Sequence, residues 1–339
     1  MRVSARVRAE STCYTSTLHT LFDVLIAHSM QPSNRPREVR LVFSTPRKLP
    51  RPRDLEGRVV VLDLAFASEA SGAGFEGITL PFIEGLGNRL AAWVDHHDHA
   101  EHARFKRDAR FVLANKAEHG ALPEMITPEL VAAAGPVDTI VCHTDFDGLA
   151  SAAKWMRGGM EPYPGCDADA RAIDTRLGTP SEDAATLDRA LRARPRDQGL
   201  FGIVVRHLAT GMTDPSLWLP IREAADQMRQ IEENTRRLAL GFVRLDPGVA
   251  IVDISGHDER IDKTSLLLIG QTRERIAVVI DGSTINMAAR FDSGVDLLRL
   301  MGLSGGMPTR ISVDRKRLDD VCKALGLRAH EVDAILIGQ

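Results

Sequence analysis

The stretch 93–100 reads WVDHHDHA and the stretch 140–151 reads IVCHTDFDGLAS. Each places histidines and aspartates straight after a short apolar run: Asp95, His96 and His97 in the first, His143, Asp145 and Asp147 in the second. Carboxylate oxygens and imidazole nitrogens without thiolates make a donor set for Mn²⁺ or Mg²⁺ rather than for structural zinc. Two clusters suggest two ions. Alternate residues of an extended segment share a face, so His143, Asp145 and Asp147 are expected on one side as their strand ends. Gly148 is expected to turn the chain sharply into a helix whose free N–H groups, like the cations, attract phosphate. Asp63 ends a further apolar run, VVVLD. A carboxylate at a strand end also serves as a helix cap, and a single histidine as a structural group. Asp63 alone admits that plain reading. The DHHDH and HTDFDG clusters do not, because uncompensated charge at buried strand ends is costly. His99 and His102 are read as peripheral. A carboxylate bridging two ions about 3.5–4 Å apart is the arrangement used in phosphoryl displacement, so phosphate-ester hydrolysis is the expected reaction class.

Elements able to position these groups follow from the hydrophobic pattern. Continuous apolar runs predict strands at 39–44, 58–64, 90–95, 111–114 and 139–143, buried on both faces as in a parallel sheet. Helices are predicted at 15–30, 125–134, 149–156 and 181–194, and this alternation is an α/β pattern. Ligands of open α/β sheets bind outside the carboxyl ends of the strands, where all the clusters would lie. A polar helical segment within 214–245 is read as a connector. Beyond it, strands at 249–254, 265–269, 276–280 and 285–290, a Gly-rich turn GLSGGMPTR and a helix at 318–325 describe a smaller α/β domain. The expected division is 1–212, a connector 213–245, and 246–339.

At 339 residues, with 44% hydrophobic and 26% charged residues and a net charge of −3, the chain has a globular composition and no basic excess announcing nucleic acid. Its 36 arginines against seven lysines offer planar forks for phosphate, although genomic base composition explains the count equally well. Four cysteines without CxxC spacing indicate neither a disulfide framework nor a zinc ribbon. No apolar run reaches the roughly 18–20 residues of a membrane span, and the N-terminus lacks an export h-region, so a cytoplasmic protein with no membrane partner is expected.

These residues resemble the DHH phosphoesterase superfamily, which includes RecJ-like exonucleases, nanoRNases, cyclic-dinucleotide phosphodiesterases and family II pyrophosphatases. Asp95-His96-His97 matches the naming motif, HTDFDGLAS the motif that opens the family's domain, Asp63 its isolated strand-end aspartate, and 168–191, with Asp174, its fourth motif. The resemblance implies two Mn²⁺ ions, with Mg²⁺ open as the alternative. One would be held by His143, Asp145 and Asp63, the other by Asp147, Asp63, His96 and Asp174. Asp63 would bridge, His97 would serve near the substrate, and Asp95 would orient His96. The C-terminal region resembles the family's DHH-associated substrate-binding domain, with Gly305 and Gly306 in its glycine-rich motif and Arg290 as a phosphate grip.

Two departures stand out. Asp63 and DHH precede HTDFDG here, whereas the family runs the other way, so the chain reads as circularly permuted. A faint echo of the opening motif at Cys13-Tyr14-Thr15 is either a decayed copy or chance. Met307 stands where the family carries a histidine after two glycines, and methionine cannot donate that hydrogen bond; Arg310 is the candidate to compensate. The expected activity is hydrolysis of phosphodiesters in short oligonucleotides or small nucleotides, with a homodimer left open. Aromatic residues make up only 5% of the chain and none interleave with basic runs, which disfavours long single strands. The alternatives are a phosphoanhydride or phosphomonoester hydrolase, and a non-catalytic nucleotide sensor.

Overall fold

A computed structural model describes residues 39–68, 72–303 and 307–337. The predicted helix 15–30 and the Cys13-Tyr14-Thr15 echo lie outside the described residues, as do Gly305 and Gly306.

The fold is mixed α/β, with two five-stranded sheets. The first contains β1 (Arg40–Phe43), β2 (Val59–Leu62), β3 (Leu90–Asp95), β4 (Phe111–Leu113) and β5 (Thr139–Cys142), all parallel, in the order β1-β5-β2-β3-β4. The strand leading into HTDFDG therefore sits between two strands that precede it in the chain. Successive side chains alternate across the sheet, and both faces are apolar. Val60, Leu62, Ala92, Val94, Ile140 and Cys142 face one core; Val59, Val61, Leu90, Trp93 and Val141 face another. That two-sided burial explains why the strands read as unbroken apolar runs.

One core is closed by helix α1 (Leu80–Leu86) with Phe66 and Phe75; the short α2 (His102–Phe105) lies on the same side, where Phe105 packs. The other is closed by α3 (Pro128–Ala134), α4 (Phe146–Met156), α5 (Cys166–Thr175), α6 (Glu182–Ala193), α7 (Gln198–Ala209) and α8 (Pro215–Asp226). Helix α9 (Met228–Ala239) follows α8 after the break at Gln227. The segment read as one polar connector is thus divided. Ile221 and Ala224 of α8 belong to the first sheet's core, and Leu238 and Ala239 of α9 to the second's. A buried face on each half, carried by few apolar residues, is what the polar composition concealed.

The second sheet runs β10-β9-β8-β7-β6, from β6 (Val243–Leu245), β7 (Val249–Asp253), β8 (Ile276–Asp281), β9 (Thr284–Ala289) and β10 (Arg310–Asp314). Only β7 and β8 pair in parallel, joined by α10 (Lys263–Gln271). The strand expected at 265–269 is therefore part of a helix. A short apolar run such as SLLLI fits either state. Asp262 decides it by capping the N-terminus, accepting from the N–H groups of Thr264 and Ser265. Helices α11 (Leu297–Met301), α12 (Leu318–Leu325) and α13 (Ala329–Ile337) complete this region. Among the described residues, no helix is long and apolar enough to cross a membrane.

Candidate metal centre

Because β2, β3 and β5 are parallel neighbours, their carboxyl ends open on one edge of the sheet. Asp63 follows β2 with φ 58°, a left-handed conformation that aspartate tolerates better than most residues. Its N–H donates to Val94 O at 3.0 Å, which pins the turn to β3. Asp95, His96 and His97 come off the end of β3, and His143 off β5. Asp145 sits at the N-cap of α4 without capping it, and Asp147 lies in the first turn. These carboxylates converge through the start of a helix, not through strand alternation. Gly148 belongs to that helix, so its purpose is not a sharp turn. A Cβ on it would come within 2.9 Å of His143 Cβ and 3.0 Å of Asp63 Oδ2. Only glycine lets α4 approach this closely.

Among the described residues, three groups of candidate ligands form, each with donor atoms within 4.8 Å of one another: Asp63–His143–Asp145, His96–Asp147–Asp174 and Asp63–His96–His97. His96 Nε2 lies 3.2 Å from Asp63 Oδ1, 3.4 Å from Asp147 Oδ2 and 3.9 Å from Asp174 Oδ2. His143 Nδ1 lies 2.7 Å from Asp145 Oδ1 and 3.6 Å from Asp63 Oδ2. Asp174 arrives near the end of α5. Both Asp63 oxygens, His96 Nε2, His143 Nδ1 and Asp145 Oδ1 are buried without an aligned hydrogen-bond partner. Buried polar atoms of native proteins are nearly always satisfied, so this set of orphans fits a metal. No cysteine enters any of the three groups, and oxygen-rich donors suit Mn²⁺ or Mg²⁺.

Electrostatics point the same way. Burial and the neighbouring Asp147 push the Asp63 carboxyl up, but the imidazoles of His143 and His96 hold it below the usual carboxylate range. Burial opposes charge on His96, and Asp147 and Asp63 reverse that, raising it well above an ordinary histidine. Asp145 and Asp63 do the same to His143 against its burial. Asp174 is raised by burial and by Asp147, against Lys116 and His96. The pocket gathers negative charge and attracts cations.

Asp95 does not orient His96. Its carboxylate accepts from His97 Nδ1 at 2.8 Å, while His96 Nδ1 faces the carbonyl of His119 at 2.9 Å. Residues two apart share a side of the extended chain, so Asp95 meets His97 instead of its neighbour. The His119 carbonyl fixes the His96 tautomer and leaves Nε2 for a metal. His99 and His102 pack their rings against Phe66.

A cavity of about 630 Å³ runs from Asp145 and Asp174 into the second sheet, bounded also by Arg176, Arg290, Met307 and Arg310. Arg310 donates to Thr264 Oγ1 at 2.8 Å. Its side chain keeps solvent access overall, while crowding around the guanidinium and the like charge of Arg176 lower its hold on the proton. Arg290 is exposed and held by a two-pronged bond to Asp292 (3.0 and 2.8 Å).

Sequence reasoning missed Lys116, His119 and Arg176. Lys116 is 3% exposed and donates from Nζ to Asp174 Oδ2. Its one signal was rarity among seven lysines. Arg176, φ 61°, ends α5 two residues after Asp174, with its nearest carboxylate, Asp188, 3.8 Å away.

No family model matches the chain, and no curated protein does. A solved structure with some likeness is PggH, a pGpG-specific phosphodiesterase of Vibrio cholerae, at a TM-score of 0.38 and 11% identity, over 80% of this chain and 97% of that one. A likeness this distant carries no functional argument.

Proposed function

We propose that the protein is a metal-dependent phosphoesterase of the DHH type that hydrolyses phosphodiesters in short oligonucleotides or small nucleotides. The observation that carries this reading is the convergence of Asp63, His96, His143, Asp145, Asp147 and Asp174 into ligand groups that overlap through Asp63 and His96, with orphaned donors, at the mouth of an arginine-lined cavity.

Asp63, His143 and Asp145 would hold one ion; Asp63, His96, Asp147 and Asp174 would hold the other. Mn²⁺ fits the donors, with Mg²⁺ as the alternative. Bound there, such ions would supply positive charge to phosphoryl oxygens and lower the pKa of water so that hydroxide is available as the nucleophile. The chain's own groups do the rest. Arg176 and Arg310, neither in a close two-pronged ion pair, are free to grip a phosphate bidentately. Arg310 thereby serves where Met307 has no donor. Arg290 would have to leave Asp292 to join them. His97, its Nδ1–H on Asp95, keeps Nε2 available as a proton carrier. The cavity's volume matches a nucleotide-sized ligand, and the second-sheet residues that line it would form its substrate-binding side, opposite Asp145 and Asp174.

The test is to incubate Mn²⁺-loaded protein with linear dinucleotides such as pGpG, cyclic dinucleotides, 3′,5′-bisphosphorylated nucleotides and pyrophosphate. Consumption of a phosphodiester, abolished in Asp63→Ala and Asp145→Ala, is expected. Turnover of pyrophosphate alone would make the protein a phosphoanhydride hydrolase, and tight binding without product a sensor.

A further inference from the structure

The ligand groups Asp63–His143–Asp145 and His96–Asp147–Asp174 differ in what already occupies them. In Asp63–His143–Asp145, both Asp63 oxygens, His143 Nδ1 and Asp145 Oδ1 are buried with no aligned hydrogen-bond partner, although His143 Nδ1 lies 2.7 Å from Asp145 Oδ1. In His96–Asp147–Asp174, the buried atom without a partner is His96 Nε2. Asp174 Oδ2 accepts from the ammonium of Lys116, and Asp147 Oδ2 accepts from the Leu122 N–H at 3.3 Å. Lys116 is 3% exposed, and the carboxylates acting on it are Asp174, Asp147 and Asp63. Its loop, which follows β4, also brings the His119 carbonyl to His96. A buried ammonium is tolerated only when paired, and lysine carries a compact point charge suited to a small ion's position.

We infer that Lys116 is the resident cation of the His96–Asp147–Asp174 group, so that the protein has one strong metal position, at Asp63–His143–Asp145, and one weak position that Lys116 contests. This rests on the metallophosphoesterase reading above. An ammonium and a divalent ion held by the same Asp174 carboxylate repel each other. Their repulsion is twice that of two unit charges and is poorly screened in a buried site. The second ion must therefore displace or bind against the Lys116 ammonium on Asp174, whereas among the described residues no ammonium or guanidinium is paired with a donor of the first group.

The experiment titrates Mn²⁺ into the metal-stripped full chain without substrate, following bound ions by calorimetry and free Mn²⁺ by electron paramagnetic resonance. The wild type is expected to bind one equivalent strongly and a second at least about tenfold more weakly. Lys116→Met should tighten the second equivalent by about tenfold or more and the first far less, while Lys116→Arg, which keeps the charge, should retain the disparity. Lys116→Gln keeps a donor to Asp174 and serves if the methionine variant does not fold. Two equal strong sites in the wild type would overturn the inference. So would a folded, charge-free variant whose second site is unchanged. Because no substrate is present, a protein that binds ions in this unequal manner yet hydrolyses nothing would sink the proposed function alone. A hydrolase with two equal sites would sink only the inference.

Discussion

Asp63→Asn separates a shared metal ligand from a structural aspartate. Asparagine is as tolerant of φ 58° as aspartate, so the turn after β2 survives, while the carboxylate common to two ligand groups becomes a neutral amide. A chain of 339 residues has an unfolding entropy of about 0.7 kcal/mol/K. An ion at 100 times its Kd stabilises the fold by about 2.7 kcal/mol, so the strong site should raise the wild-type Tm by about 4 °C. Loss of the shared carboxylate should weaken binding by about 100-fold or more, since even outer-shell partners are worth 10–100-fold. At the same Mn²⁺ concentration the stabilisation then falls to about 0.4 kcal/mol, a shift below about 1 °C. Asp174→Asn removes a ligand from the Lys116-contested group only and should keep most of the 4 °C shift. Differential scanning fluorimetry with and without Mn²⁺ measures both, alongside turnover, which should fall about 10³-fold in Asp63→Asn. A full Mn²⁺-induced shift in Asp63→Asn, or equal losses in Asp63→Asn and Asp174→Asn, would refute the shared-ligand geometry.

Three further outcomes are expected. Arg176→Ala and Arg310→Ala should each lower kcat/KM by about 10–100-fold, the value of a charged hydrogen bond to phosphate, without changing the Mn²⁺-induced Tm shift; steady-state kinetics with scanning fluorimetry check this, and unchanged kcat/KM in both would remove them from the substrate's path. Gly148→Ala should cost about 1–3 kcal/mol and weaken metal binding together, because its methyl would press on His143 and Asp63; denaturant unfolding and Mn²⁺ titration report the two effects. Asp262 caps α10 and pairs with Arg192 of α6. Burial pushes its carboxyl up, but Ser265 and Arg192 hold it below the ordinary range, so its contribution is complete above pH ~4, its unfolded value, and lost as pH falls through the folded one. Asp262→Asn should therefore destabilise by about 2–4 kcal/mol at pH 7, with wild type and variant converging in acid unfolding scans; a constant difference down to pH 2 would contradict the assignment.

Strands β2, β3 and β5 were readable because burial on both faces leaves continuous apolar runs, a property of consecutive residues; the edge strands β1 and β4 keep the apolar run with less burial. Helix α12 was readable at 318–325 for a similar local reason, its apolar positions recurring at helical spacing. Helix α10 was not, since SLLLI has no period of its own and Asp262's cap settles the matter through side-chain geometry. The division of 214–245 into α8 and α9 was likewise hidden, because it depends on which core each half meets.

The chemistry of the centre, hard oxygen donors with imidazole and no thiolate, was determined by residue types alone, as was the attachment of each cluster to a strand end. Their convergence was decided by the tertiary structure, through the order β1-β5-β2-β3-β4. That order places the end of β5 beside Asp63, which lies 80 residues earlier, so motif order along the chain ceases to matter. Asp95 on His97, the His119 carbonyl on His96, Arg176 at the cavity wall and Lys116 on Asp174 belong to the same class. Each joins groups through space or through pleat direction, and no local pattern of apolar and polar residues encodes which distant loop will lie over a given strand end.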